Sequence, residues 1–256
     1  MTDEEIKQQA IKGALPKPEY FVGVDLGQSR DYTAVIVVQR SYIPIGDLYY
    51  KESRREESWV NVRALYDVRH IERFRLGMAY STQMKQLCQL LEKIGGDIYV
   101  IADATGCGRG VIEMLHQELY ALGVKMNAPD YPIQSLTPGF VQITAGSTVT
   151  KSPPLLNVPK KDLITAPLIL LQDERLRISE ELELCDVLKR ELQNFRVKIN
   201  IATGHDSYEA WREHEHDDLV LALALACWAA EKFSSPYTRV TVPGFVAVDA
   251  PLFTYG

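Results

Sequence analysis

The order of strand-like and helical segments along this chain of 256 residues predicts an α/β fold, a mixed β-sheet flanked by helices. Three observations carry that reading. Two β-branched and aromatic runs, 20–25 and 33–40, are separated by a loop holding Gly27, Ser29 and Asp31, which is a hairpin signal. Further along, helical periodicity alternates with short apolar runs. Near the C-terminus, residues 219–230 are almost wholly apolar, too short to span a bilayer and too apolar for a surface helix, so they predict a buried helix.

The first 18 residues read as a polar helical extension closed by Pro16-Lys17-Pro18, and the main folded unit is expected over 19–233. After the hairpin, 48–51 is a candidate third strand, followed by a charged, arginine-rich stretch to about Arg75. Met84, Leu87, Leu91 and Ile94 fall at helical spacing and predict a helix over 80–94, ended by Gly95-Gly96. Residues 98–102 form a continuous apolar run, as expected for a strand covered on both faces. A second helix is predicted over 111–122, with Ile112, Leu115, Leu119 and Leu122 on one face, then a strand at 133–136. The stretch 137–159, rich in Pro, Gly, Thr and Ser, reads as a loop or small excursion. Helices near 161–171 and 180–194 flank a short strand at 175–178, a hairpin at 197–203 follows, and 216–233 is the apolar helix. Residues 234–256, with Pro236, Pro243 and Pro251, form an extended tail.

Lys and Arg total 28 against 34 Asp and Glu, a net charge of -6, which excludes a protein that coats nucleic acid through overall charge. Contact with DNA or RNA would need a local patch. Cys88, Cys107, Cys185 and Cys227 show no CxxC spacing, against a zinc knuckle or a disulfide framework, and point to a reducing, cytoplasmic setting. The charged N-terminus has no apolar core of a secretory signal, and no membrane partner is expected.

The chemistry is expected in carboxylates. Asp25 lies in the apolar run 21–27 and Asp103 ends the apolar run 99–103, while Asp217 and Asp218 directly precede Leu219 at the start of the buried helix. A carboxylate at such a place costs free energy unless it is solvated, hydrogen-bonded or bound to a cation. The ordinary alternative is that each strand-end aspartate caps the following turn. If the four converge they repel one another, and a divalent cation would hold them ionised. Hard oxygen ligands with little His or Cys select Mg²⁺ or Mn²⁺. Two such ions, about 4 Å apart, suit phosphodiester cleavage.

These residues carry a resemblance. Gly23-Val24-Asp25-Leu26-Gly27-Gln28 with Asp31-Tyr32-Thr33-Ala34, then Ile101-Ala102-Asp103-Ala104-Thr105-Gly106, then His216-Asp217-Asp218-Leu219-Val220 leading into an Ala-rich helix, resemble the C-terminal nuclease domain of phage large terminase subunits, within the RNase H-like superfamily. Gly204-His205-Asp206 and Val158-Pro159-Lys160-Lys161-Asp162-Leu163 add to the likeness, which spans roughly 19–233. The resemblance implies an RNase H-like fold and a Mg²⁺- or Mn²⁺-dependent endonuclease that uses two ions on double-stranded DNA during phage genome packaging. It implies that Asp25 is the first-strand acid that bridges metals, Asp103 the acid closing the fourth strand, and Asp217 with Asp218 the final pair, all four catalytic and metal-binding. No G-x-x-x-x-G-K-[ST] segment is present, so a packaging ATPase or portal would be a separate partner, in the host cytoplasm.

Other groups have plainer readings beside the functional ones. His205 and His216, with His214, are candidate ligands or proton shuttles, but they lack H-x-x-x-H spacing, and their ordinary reading is solvated loop positions. Arg54 and Arg55 are candidate phosphate contacts within the basic stretch of Lys51, Arg63, Arg69, Arg73 and Arg75, whose ordinary reading is a solvated face. Lys160 and Lys161 precede a helix, and Cys107 and Arg109 open another, so Arg109, Lys160 and Lys161 join the nucleic-acid candidates. Trp211 and Trp228 read as core. Two competing functions remain at this level. Asp25-Leu26-Gly27-Gln28-Ser29 with Asp103-Ala104-Thr105-Gly106-Cys107-Gly108 also suits an ATP-dependent kinase of the actin-like superfamily, although the C-terminal third lacks a Gly-Gly adenosine loop. A catalytically silent DNA-binding or assembly module is the other.

Overall fold

The computed structural model describes residues 2–27, 31–51, 57–105, 108–125, 133–152, 155–194, 198–200, 205–207, 217–233 and 236–243. Helix α1 (Asp3–Ala14) opens with a capping box, in which the Thr2 hydroxyl accepts from the Glu5 N–H and the Glu5 carboxylate accepts from the Thr2 N–H. Strands β1 (Glu19–Asp25) and β2 (Ala34–Lys51) form the predicted antiparallel hairpin, with Asp25 opposite Ala34 and Glu19 opposite Arg40. The strand expected at 48–51 is the far end of β2. Strand β3 (Glu57–Arg73) replaces much of the expected arginine-rich surface stretch. From Ser58 to Val68 its buried positions are every second residue, Ser58, Val60, Val62, Ala64, Tyr66 and Val68, most of its charges stand between them, and Ile71 is buried beyond that run.

The remaining elements are α2 (Tyr80–Ile94), β4 (Gly96–Asp103), α3 (Arg109–Lys125), β5 (Ile133–Thr144), β6 (Thr150–Ser152), β7 (Leu155–Pro159), α4 (Lys160–Gln172), β8 (Leu176–Ile178), α5 (Cys185–Asn194), β9 (Lys198–Asn200), β10 (His205–Ser207), α6 (Asp218–Trp228) with one π-helical turn over 229–233, and β11 (Arg239–Val242). The stretch read as a loop over 137–159 thus holds most of β5 and all of β6 and β7. Pro138 is tolerated because β7 joins β5 only from Phe140 onward, which leaves Pro138 in an edge-like position. Helix α5 starts later than expected, after turns that end at Leu184 with φ 63°. Within the expected tail, β11 is a strand.

The sheet order is β11-β3-β2-β1-β4-β5-β7-β6, with β8 beside β3. Strand β1 runs antiparallel to β2 and parallel to β4, while β4–β5 and β5–β7 are also parallel. The fold class is the predicted α/β one, a mixed β-sheet flanked by helices. Two compact units are present, one made of residues 18–40 and 66–235, the other of 1–17, 41–65 and 236–256. In the larger unit, α2 and α3 cover one face of the sheet through Met84, Leu87, Leu91, Leu115, Leu119 and Leu122, packed on Val22, Val24, Val100 and Ala102. Helix α6 lies against β1 on the other face, flanked by α4 and α5. No described helix is long and apolar enough to cross a membrane.

Candidate metal centre

Strand parity decides where the first two aspartates go. Val22 and Val24 of β1, and Ile98, Val100 and Ala102 of β4, point into the core under α2 and α3. The alternate residues, Phe21, Gly23 and Asp25 on β1 and Tyr99, Ile101 and Asp103 on β4, therefore face α6. Parallel register pairs Phe21 with Tyr99, Gly23 with Ile101 and Asp25 with Asp103. The Phe21 and Tyr99 rings stack with centroids 4.8 Å apart. Two carboxylates accordingly stand side by side at the ends of neighbouring strands, whose spacing in a sheet is about 4.8 Å.

Gly23 brings the third element close. A side-chain carbon there would collide with the Ala222 carbonyl and approach the Ala226 nitrogen to 2.9 Å, so α6 and β1 meet backbone to backbone. That contact sets the N-terminus of α6, with Asp217 as N-cap and Asp218 as its first residue, near the ends of β1 and β4. Asp25, the last residue of β1, is partly buried. Burial first, then Asp103, Asp218 and Asp217, push its carboxyl well above the ordinary range, while Lys160 pulls it back. No hydrogen bond or ion pair reaches it among the described residues. Asp103 is also raised by burial, moderated by hydrogen bonds from Thr105, whose N–H donates at 2.8 Å, and by Lys160. The turn-capping reading of Asp103 therefore holds together with its place beside Asp25.

The adjacent aspartates have different surroundings. Asp218 is buried and accepts from Arg73 Nε at 2.6 Å and Nη2 at 2.9 Å. Arg73 Nη2 also donates to Glu191, and its guanidinium lies 5.2 Å from the centre of the Tyr32 ring. Glu191 accepts from the Leu219 and Val220 N–H groups at 3.2 and 3.3 Å, capping a helix whose N-cap side chain makes no such bond. Burial pushes Glu191 up to about 7 against the pull of Arg73. Asp217 is half-exposed and stands 3.7 Å from Lys160 Nζ.

Arg73, read from sequence as part of a solvated face, is instead the bidentate partner of Asp218, because the last turns of β3 carry it to the start of α6. Glu191 was missed as well. Its signal is position: Cys185 and Leu188 are buried at i and i+3, and Glu191 continues that stripe. Of the two lysines, Lys160 meets the acids, whereas Lys161 lines a cavity with Val149, Leu156, Ile169 and Trp228. Arg109 is exposed and pairs with Glu113 at 3.8 Å. Trp228 is buried. Arg54, Arg55, Cys107, Trp211, His214 and His216 lie outside the described residues, and for His205 only its place in β10 is described.

Among the described residues, no three His, Cys, Asp or Glu side chains are gathered tightly enough to hold an ion as they stand. The donor chemistry nevertheless fits a hard divalent cation. All donors are carboxylate oxygens, they carry excess negative charge, and among the described residues Asp25 has no hydrogen-bond or ion-pair partner.

No family model and no curated protein sequence matches the chain. Among solved structures it is similar to the large terminase nuclease of the thermophilic phage G20c, with 22% identity over 82% of each chain and a TM-score of 0.48. It is also similar to the human cytomegalovirus terminase nuclease domain, Mn-soaked, with 10% identity over 84% of this chain and 86% of that one at a TM-score of 0.49. A third similar structure is the nuclease domain of the large terminase subunit gp2 of bacterial virus Sf6, with 14% identity over 86% of this chain and 96% of that one and a TM-score of 0.47.

Proposed function

We propose that this chain is a divalent-metal-dependent endonuclease that hydrolyses phosphodiester bonds of double-stranded DNA, in phage genome processing alongside a packaging ATPase or portal. The observation that carries the reading is the Asp25 carboxylate, which no hydrogen bond or ion pair reaches among the described residues, set beside Asp103 and facing the acidic start of α6. Asp25 and Asp103 would hold Mg²⁺ or Mn²⁺ from the strand ends, with Asp217 and Asp218 completing the oxygen set from the helix. Bound there, two ions supply Lewis acidity for attack by water and for departure of the leaving oxygen. The protein contributes position. Parallel register fixes the spacing of Asp25 and Asp103, Gly23 sets the approach of α6, and Arg73 fixes the rotamer of Asp218. A net charge of -6 leaves DNA attraction to local cations such as Lys160.

Supercoiled plasmid incubated with Mn²⁺ tests the reading. The wild-type protein is expected to nick and linearise it, and Asp25→Asn to fall to the background of a metal-free control. Equal cutting by both proteins would falsify the assignment of Asp25.

A further inference from the structure

A cavity of about 880 Å³ opens in the larger unit between α4, strands β6 and β7 and the π-helical end of α6, and none of the four aspartates lines it. Lys161, Thr165 and Ile169 line it at i, i+4 and i+8, so it follows one face of α4 for about 12 Å. Leu170 and Trp228, both buried, form part of its wall. Its rim is apolar and open to water, with Val149 45% exposed and Ile169 44%. Leu168, 40% exposed, lies outside the cavity but beside Thr165 on the helix surface. The open apolar surface is thus wider than the cavity, and a small molecule enclosed in it would leave part of that surface uncovered.

Lys151 on β6, Lys161 at the head of α4 and Lys232 on the π-helical turn bring three ammonium groups to this cavity. Two carboxylates line it as well, Asp162 and Glu231. Glu231 is already held by Arg175 at 3.0 Å and by the Tyr66 hydroxyl, and among the described residues none of the three ammonium groups is in an ion pair. Asp162 alone is left to offset them, in a chain whose net charge is -6. Positive charge gathered around an apolar slot is complementary to apolar side chains flanked by acids. A nucleic-acid strand fits less well. Its phosphates would leave Val149, Leu168 and Ile169 in water, and Trp228, at 5% exposed, offers no open ring for a base. We infer that this cavity docks a separate protein through a short segment of apolar side chains flanked by Asp or Glu, the apolar groups seated against Val149 and Ile169 and the acids meeting Lys151, Lys161 and Lys232. The inference stands apart from the metal site, so loss of DNA cutting leaves it intact.

Fluorescence anisotropy with labelled peptides of about 12 residues, titrated with the full chain, tests it. The first peptide carries Leu at i, i+3, i+4 and i+7 and Glu elsewhere; the second has Lys for each Glu, and the third has Ser for each Leu. The first is expected to bind saturably and the other two about tenfold more weakly or less. Ile169→Asp and Lys232→Glu, both at exposed positions, are each expected to weaken the first peptide about tenfold while the melting temperature stays near that of the wild type. No saturable binding of the first peptide up to about 1 mM overturns the inference, as does a second or third peptide that binds as tightly, or binding that neither substitution weakens. Sedimentation of the wild type alone as a dimer that Ile169→Asp dissolves would make a second copy the occupant and overturn it too. So would a labelled single-stranded oligonucleotide whose binding Lys232→Glu and Ile169→Asp weaken as much as they weaken the peptide's.

Discussion

Helix α6 has buried charge at both ends, and the two ends are finished differently. At the C-terminal end, fully buried Arg40 donates to Glu19 at 3.1 and 2.6 Å and to the Ala230 carbonyl, with its guanidinium 4.8 Å from the centre of the Phe21 ring. Beside it, Glu231 accepts from Arg175 at 3.0 Å and from the Tyr66 hydroxyl. Each carboxylate there has its own cation. At the N-terminal end, Asp25, Asp103, Asp217, Asp218 and Glu191 meet Arg73 and Lys160. The first arrangement is complete within the fold. The second holds more negative charge than the fold offsets, which is the condition under which binding a cation from solution lowers the free energy.

The comparison can be broken by substitution. Arg40→Met leaves Glu19 and the Ala230 carbonyl without their partner in the interior and is expected to cost about 3–5 kcal/mol in urea unfolding. Asp25→Asn at the opposite end should act in the other direction and stabilise the metal-free protein, because it removes a like charge from a crowded site. Destabilisation by both would show that the two ends are equally structural.

A smaller effect sharpens the contrast through pH. Asp25, Asp103 and Glu191 all have folded-state values raised above their ordinary ones, so the folded protein binds protons more tightly than the unfolded chain. Their stabilising contribution is full below the ordinary carboxylate values and is lost as pH rises through the folded values, which for Glu191 means from 4.5 to about 7. The metal-free protein should therefore melt at a higher temperature at pH 5 than at pH 8, with a shallower dependence in Asp25→Asn. Melting that rises with pH over this range would contradict the crowding of these acids.

Much of this site is legible in the sequence because its residues violate local patterns. An aspartate closing an apolar strand, at Asp25 and again at Asp103, has no reason in packing alone, and a glycine inside a strand, at Gly23, signals close backbone approach. The pairing of Glu19 with Arg40 also follows once the hairpin is registered from Asp25 and Ala34. What was hidden depends on long-range contact. Arg73 meets Asp218 across 145 residues and Glu191 across 118, and nothing local distinguishes it from its basic neighbours. Strand β3 was masked because charge dominates its exposed positions, and β5 because Pro138 and Gly139 read as loop until β4 and β7 supply the pairing that outweighs them.

Anomalous diffraction from a Mn²⁺-soaked crystal addresses the central claim most directly. A manganese peak between the carboxylates of Asp25 and Asp103, within ligand distance of both, is the expected result. Strong manganese peaks elsewhere on the molecule, with none at this pair, would contradict it.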